Sequence, residues 1–125
     1  MSSMDSFFIT DKAAEGVKLP LLLDGDEGDH YVIVRGKDCE AYRQATAESV
    51  IRSRDVLLSD ATVAERAKSL VDERFLVLAS LIVDWSFDEP VDTENAFKFV
   101  SSIPETIAAK IEKLADDRGE YLKKP

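Results

Sequence analysis

Few residues in this chain could do chemistry, and their spacing argues against most of it. The acidic run Asp24-Gly25-Asp26-Glu27-Gly28-Asp29 has the composition of a calcium loop. Counted as an EF-hand from Asp24, it puts Asp29 where the sharp-turn glycine belongs and Arg35 where the bidentate glutamate belongs, so the ligand pattern fails. Gly and Asp at this density suit a solvated hairpin turn instead. His30 is the single histidine and Cys39 the single cysteine. That excludes a metal site built on several imidazoles, and any nucleophile–base pair would have to use His30. A helix start can lower a thiol pKa, but Asp38 and Glu40 flank Cys39 and oppose it, so Cys39 reads as a small buried filler. Asp84, Asp88, Glu89 and Asp92 crowd around Trp85. The general acid of a carboxylate pair needs surroundings that raise its pKa, and a surface loop holding Pro90 solvates such groups. No glycine-rich phosphate loop is present. The expectation is a non-enzymatic protein with no catalytic residue, cofactor or metal.

The aromatic side chains are the better candidates. Trp85, Phe87 and Phe97 are of the type that dominates binding hot spots. Structurally, Trp85 closes the core. Functionally, it and Phe87 form a partly exposed anchor for a partner, with Phe97 nearby.

The element that positions them is the run Arg74 to Trp85, RFLVLASLIVDW. It has no polar stripe, so it is expected to be buried all round. It is too short for a membrane span, which needs about 20 apolar residues. The run continues the helical spacing of Val63, Ala67, Leu70 and Val71 without a Gly or Pro break, which predicts one helix over 62–85. The competing reading breaks the helix near Arg74 into a buried strand. Thr62-Val63-Ala64-Glu65 has capping-box spacing at the helix start.

Ahead of this helix, Met1 to Ser6 reads as loose and Asp11 to Glu15 as one helical turn ended by Gly16. Val17 to Leu23 is an edge strand, because Pro20 cannot donate to a ladder. With His30 to Arg35 it makes a β-hairpin over 17–35, which must pack on helices to be stable. Asp38 is a good N-cap for a helix running to Leu57, whose apolar face is thin and whose Glu48 and Arg52 form an i,i+4 pair; this helix is expected to be peripheral. After Trp85 a loop holding Pro90 leads to a short helix capped by Asp92 or Thr93. Ser102-Ile103-Pro104-Glu105 then opens the last helix, with capping-box spacing and Ile103, Ile107, Ile111, Leu114 and Tyr121 or Arg118 at helical spacing. The fold class is α+β: one domain over 1–125, an N-terminal hairpin followed by three to four helices over 38–122 packed around a central buried helix.

Composition limits the partners. The chain has 125 residues, 45% hydrophobic and 33% charged, which describes a globular domain with a core of its own. With 25 Asp+Glu against 16 Lys+Arg, its formal net charge of -9 repels phosphate backbones, so a protein partner is favoured over nucleic acid. A single cysteine fits a reducing compartment, and Met1 to Ser6 lacks the basic region of a signal peptide, so the expected location is the cytoplasm, away from membranes.

Several short motifs carry a resemblance. Ala14-Glu15-Gly16, the hairpin, Gly36-x-Asp38 and Ala41-Tyr42-Arg43-x-Ala45 are followed by Trp85, a loop, Thr93-x-Asn95-Ala96, Pro104 with Ile107 and Ile111, then Asp117-Arg118 and Tyr121. In this order, over about Thr10 to Tyr121, the chain resembles the tail assembly chaperones of long-tailed bacteriophages. The loop from Phe87 to Pro90 departs from the usual Trp, polar turn and proline. The resemblance implies binding and solubilising of the tape measure protein, recruitment of the major tail protein, self-association, location in the host cytoplasm and absence from the finished virion. It also implies a frameshifted longer product in many relatives, with which Lys123-Lys124 is compatible. The alternative is a small acidic regulatory or immunity-type protein that blocks a basic partner.

Overall fold

The computed structural model describes residues 4–23 and 26–123. A single 3-10 turn, Met4–Phe7, precedes α1 (Thr10–Glu15). Gly16 ends α1 with φ of 85°, and a Cβ there would lie 2.5 Å from Ile33 Cγ2, so only glycine lets the chain turn into the sheet at this point.

Strands β1 (Val17–Leu23) and β2 (Asp26–Val34) form the expected antiparallel hairpin, whose turn at Asp24 and Gly25 lies outside the described residues. A third strand, β3 (Ile82–Trp85), pairs antiparallel with the other side of β2, giving the order β1-β2-β3. Pro20 thus sits on an edge strand, where its missing N–H costs no central ladder bond, and the register shifts just beyond it, between Pro20 and Leu22. Val32 and Val34 on the middle strand are fully buried.

β3 overturns the prediction of one helix over 62–85. The helix α3 runs only over Val63–Ala79, Ser80 and Leu81 turn, and the chain re-enters the sheet. The break comes beyond Arg74 and needs neither Gly nor Pro. The Ser80 hydroxyl bonds back to the Val77 carbonyl, and Arg35, just past the end of β2, donates to the Ser80 carbonyl at 2.9 Å. The β-branched pair Ile82-Val83 then suits the pleat better than a helix. Burial is also graded rather than all-round. In α3 only Leu78 and Ala79 are buried, Phe75, Leu76 and Val77 are half-buried, and Val63, Ala67, Leu70 and Val71 face outward.

α2 (Glu40–Leu57) is peripheral and buries no residue. Its N-cap is Cys39, whose Sγ accepts from the Tyr42 N–H at 3.4 Å. Asp38, expected to be the cap, instead receives the Arg118 guanidinium at 2.7 Å and 3.1 Å. The Thr62 capping box forms as predicted. α4 (Thr93–Ser102) is capped by Asp92, which accepts from the Asn95 N–H at 2.7 Å. α5 (Glu105–Asp116) starts after Pro104 without a side-chain cap; the predicted Ser102 box does not form because Ser102 is the last residue of α4. The chain breaks at Asp117, and α6 (Arg118–Leu122) carries Tyr121 into the core. There its hydroxyl donates to the Val34 carbonyl at 3.0 Å. The domain is α+β, with the sheet at its N-terminal end and a core around Val32, Val34, Leu81, Val100, Ile111 and Tyr121.

Candidate functional site

The structure gathers two of the three expected aromatic residues and sends the third elsewhere. Trp85 lies on β3 opposite Val32, and its indole N–H donates to the Glu89 carbonyl at 2.7 Å. At 7% exposure it is a core residue more than an anchor. Phe87 is half-buried over it, with centroids 5.8 Å apart and edge to face. Phe87 also stacks on His30 at 5.0 Å and meets Phe99 at 5.5 Å. Phe97, two residues from Phe99 and so on another side of α4, packs edge-on against Phe75 of α3 at 6.2 Å. The cluster is thus Trp85, Phe87, Phe99 and His30.

Hydrogen bonds hold the cluster rigid. Ser86 Oγ lies 3.1 Å from His30 Nδ1 and accepts from the Tyr31 N–H at 2.9 Å. Asn95 donates to the Pro90 carbonyl at 3.0 Å, fixing the loop before α4. A shallow cleft of about 230 Å³ opens beside the rings, lined by Trp85, Phe87, Glu89, Asn95, Lys98 and Phe99. The acids singled out in the sequence build this loop. Asp92 caps α4, Asp84 accepts from the Trp85 N–H, and all four of Asp84, Asp88, Glu89 and Asp92 are exposed. His30 belongs to the aromatic cluster, whereas the fully buried Cys39 caps α2. Asp24 and Gly25 of the acidic turn lie outside the described residues; among those described, no group of three or more His, Cys, Asp or Glu could hold a metal ion. Also among them, no helix is long and apolar enough to cross a membrane.

Comparison with protein-family models, curated proteins and solved structures found no significant match.

Val63, Leu70 and Val71, expected on the central buried helix, belong to an exposed apolar surface instead. Helices α2 and α3 form a hairpin. Its inner seam is polar in the middle, and toward the tip Val56, Leu57 and Leu70 line a small apolar cleft. Arg52 donates to Glu73 through Nε and Nη2 at 2.8–3.0 Å. Those hydrogen bonds, led by Arg52, hold the Glu73 carboxyl below the usual carboxylate value despite opposing desolvation. The predicted Glu48–Arg52 pair is present but loose at 3.8 Å. The outward faces are aliphatic: Val50, Ile51, Leu57 and Leu58 on α2, and Val63, Leu70 and Val71 on α3. Val63 is 84% exposed, Leu58 81% and Leu70 67%. The spacing of Val63, Ala67, Leu70 and Val71 predicted an apolar stripe correctly; what it could not carry is whether anything in the same chain covers that stripe.

The α3 stripe runs into a groove. Tyr42, Leu70, Val77, Leu78 and Leu81 line a cleft of about 310 Å³ between α2, α3 and α5, with Lys37, Arg74 and Glu112 among its polar residues. Lys37 is fixed there by Asp116 at 3.0 Å, and Arg74 by Glu105 at 2.6 Å. Desolvation pulls the Lys37 pKa down, but the hydrogen bond to Asp116 and the neighbouring Tyr42 and Glu112 outweigh it and the net direction is up, so the ammonium stays charged. An apolar floor with fixed charges at its margin is suited to an amphipathic segment of another protein.

Proposed function

We propose that this protein is a non-enzymatic tail assembly chaperone of the long-tailed bacteriophage type. In this reading it binds the tape measure protein, keeps it soluble, and helps recruit the major tail protein in the host cytoplasm without entering the virion. The observation that carries the reading is the exposed apolar stripe of α3, Val63 to Val71, leading into the groove at Leu78 and Leu81. A segment with apolar residues every three or four positions can lie along such a stripe as a helix in a groove. The rest of the surface supplies solubility. Residues 40–79 carry six Lys and Arg against seven Asp and Glu, while the remainder carries ten against eighteen. A partner covered along its apolar face would thereby gain a strongly anionic coat. The motif order from Ala14 to Tyr121 points the same way.

The aromatic cleft at Phe87 is the second contact in this proposal. Phe87 is half-buried and backed by a rigid loop, so a side chain docking against it would lose little entropy.

Co-expression with the cognate tape measure protein tests the reading. The tape measure protein should move from the insoluble to the soluble fraction and co-purify as one complex. Val71→Glu should weaken capture, because an unpaired charge would be buried at the contact, and Phe87→Ala should weaken it further. Wild-type protein that neither binds nor solubilises the tape measure protein would overturn the chaperone reading. Capture that survives both substitutions would overturn the two surfaces.

A further inference from the structure

A cleft of about 410 Å³, larger than the two described above, lies between α2, α3, β3 and the start of α4. The chaperone reading does not use it. Its floor is apolar, formed by Leu76, Ala79, Ile82 and Ala96, the last three of them buried. Arg35 also lines it, half-buried and held by the bond from Nη1 to the Ser80 carbonyl. Its Nε and Nη2 make no hydrogen bond, and no carboxylate pairs with it, among the described residues. Arg52, the other guanidinium in the cleft, is already committed to Glu73. Arg35 is thus a positioned, partly desolvated cation for which the chain supplies no anion.

The strand beside it is open as well. β3 pairs with β2 on one side only. Ile82 and Val83 are successive residues, whose side chains take opposite faces of a strand, and both line the cleft. The cleft therefore runs along the open edge of β3.

We propose that this cleft takes the C-terminal end of another polypeptide, added as a short strand on β3 with its terminal carboxylate on Arg35 and its last, apolar side chain on the floor. Strand addition gives the peptide main-chain hydrogen bonds, and the floor selects the side chain. Nε–H and Nη2–H form the fork that a carboxylate engages through two parallel bonds, and in Arg35 that fork is free. Arg35 is bonded to Ser80, which leads into β3, so the carboxylate sits at the start of the strand and the peptide runs antiparallel to it. Charge narrows the occupant further. Glu48 and Asp92 line the same cleft, and the chain carries a formal net charge of -9, so phosphate and other polyanions are repelled. A single carboxylate with Lys or Arg a few residues upstream is the anion these surroundings admit. This inference stands apart from the chaperone reading.

An NMR titration of the isotope-labelled full chain tests it. The probe is an acetylated pentapeptide, Lys-Thr-Ser-Val-Leu, with a free terminal carboxylate. The amides of Ala45, Val83 and Thr93 and the Arg35 Nε–H should shift saturably. The same peptide ending in an amide should bind about tenfold more weakly or worse, because the charge-assisted pair is lost. Ala45→Glu places a carboxylate in the cleft and should weaken binding by a similar factor. Circular dichroism should match the wild type, since both residues favour helix; if helix is lost, Thr93→Glu, at an exposed position of the same cleft, takes its place. Val63→Glu adds the same charge on the outer side of α3 and should change nothing. Absence of saturable shifts, equal binding of the acid and amide peptides, or undiminished binding by the folded cleft variant would each overturn the proposal. Displacement of the peptide by an equal concentration of inorganic phosphate would overturn its assignment to a chain terminus. Binding of N-acetyl-leucine as tight as that of the pentapeptide would overturn the added strand.

Discussion

Replacing Tyr121 with Phe removes one oxygen from the best-buried aromatic among the described residues. Tyr121 is 1% exposed, and its hydroxyl donates to the carbonyl of Val34, a residue of the central strand that is itself fully buried. The ring stays in place, held by Gly36, where a Cβ would come within 3.1 Å of it. The loss is therefore one neutral hydrogen bond, about 0.5–1.5 kcal/mol net, with part of the cost of a buried acceptor left short of a donor, about 1–3 kcal/mol. The carbonyl has a second lone pair, so a total of about 1–2 kcal/mol is expected. At about 2.1 cal/mol/K per residue, unfolding 125 residues has an entropy near 0.26 kcal/mol/K, so Tm should fall by about 4–8 °C. A pH series adds a second readout. Burial, the largest cause, pushes the phenol above its usual 10.0, with nearby Cys39 and Asp117 adding to it. A group whose pKa rises on folding stabilises the native state below its unfolded pKa and loses that contribution as pH climbs. The advantage of Tyr121 over Phe should thus be constant to about pH 10 and shrink above it. Calorimetric melting of both proteins between neutral and alkaline pH measures this. Equal midpoints at neutral pH, or a gap that does not narrow above pH 10, would refute the account of Tyr121 as the buried pin of α6.

Two further outcomes follow from the hairpin. Leu78→Ala should cost about 2–5 kcal/mol in urea unfolding and Val63→Ala less than about 0.5 kcal/mol, since Leu78 is buried and Val63 is open to solvent; similar losses at the two sites would contradict the graded burial of α3. Glu73, with its pKa lowered chiefly by Arg52, stabilises the seam above its unfolded value of 4.5 and loses that as pH falls through the lower folded value. Wild-type stability should therefore fall more steeply below pH 4.5 than that of Glu73→Gln, and parallel acid slopes in chemical denaturation would count against the ion pair as the seam's support.

The sequence was informative where a local rule determines structure. Pro20 marked the edge strand, Thr62 with Glu65 the start of α3, Asp92 the start of α4, and Gly16 the end of α1. It failed where a distant partner decides. Asp38 has the chemistry of a cap, but Arg118, eighty positions away in the chain, engages it and Cys39 caps instead. The turn at Ser80 is held by Arg35, which follows β2 in the chain, so a run of apolar residues looked like one helix. The local signal for the strand is Ile82-Val83 before Trp85, a β-branched pair followed closely by an aromatic residue. In the candidate site, Trp85 and Phe87 were legible as aromatics, whereas the joining of His30 and Phe99 to them depends on strand pairing that no local pattern encodes. Periodicity located the stripe of α3 and could not say that it faces water.

The gradient along α3 also sets how the domain opens. The distal turns, around Leu57, Leu58 and Val63, touch solvent on their apolar sides, while the last turn is anchored in the core at Leu78 and Ala79. Amide protons near the tip should then exchange through small fraying events, and those of Leu81 and Val32 only through global unfolding. The hairpin tip can therefore loosen, re-pack or be gripped while the sheet and the Tyr121 contact remain closed. A partner that orders the tip would register first as slowed exchange there, before any change in the melting of the whole domain.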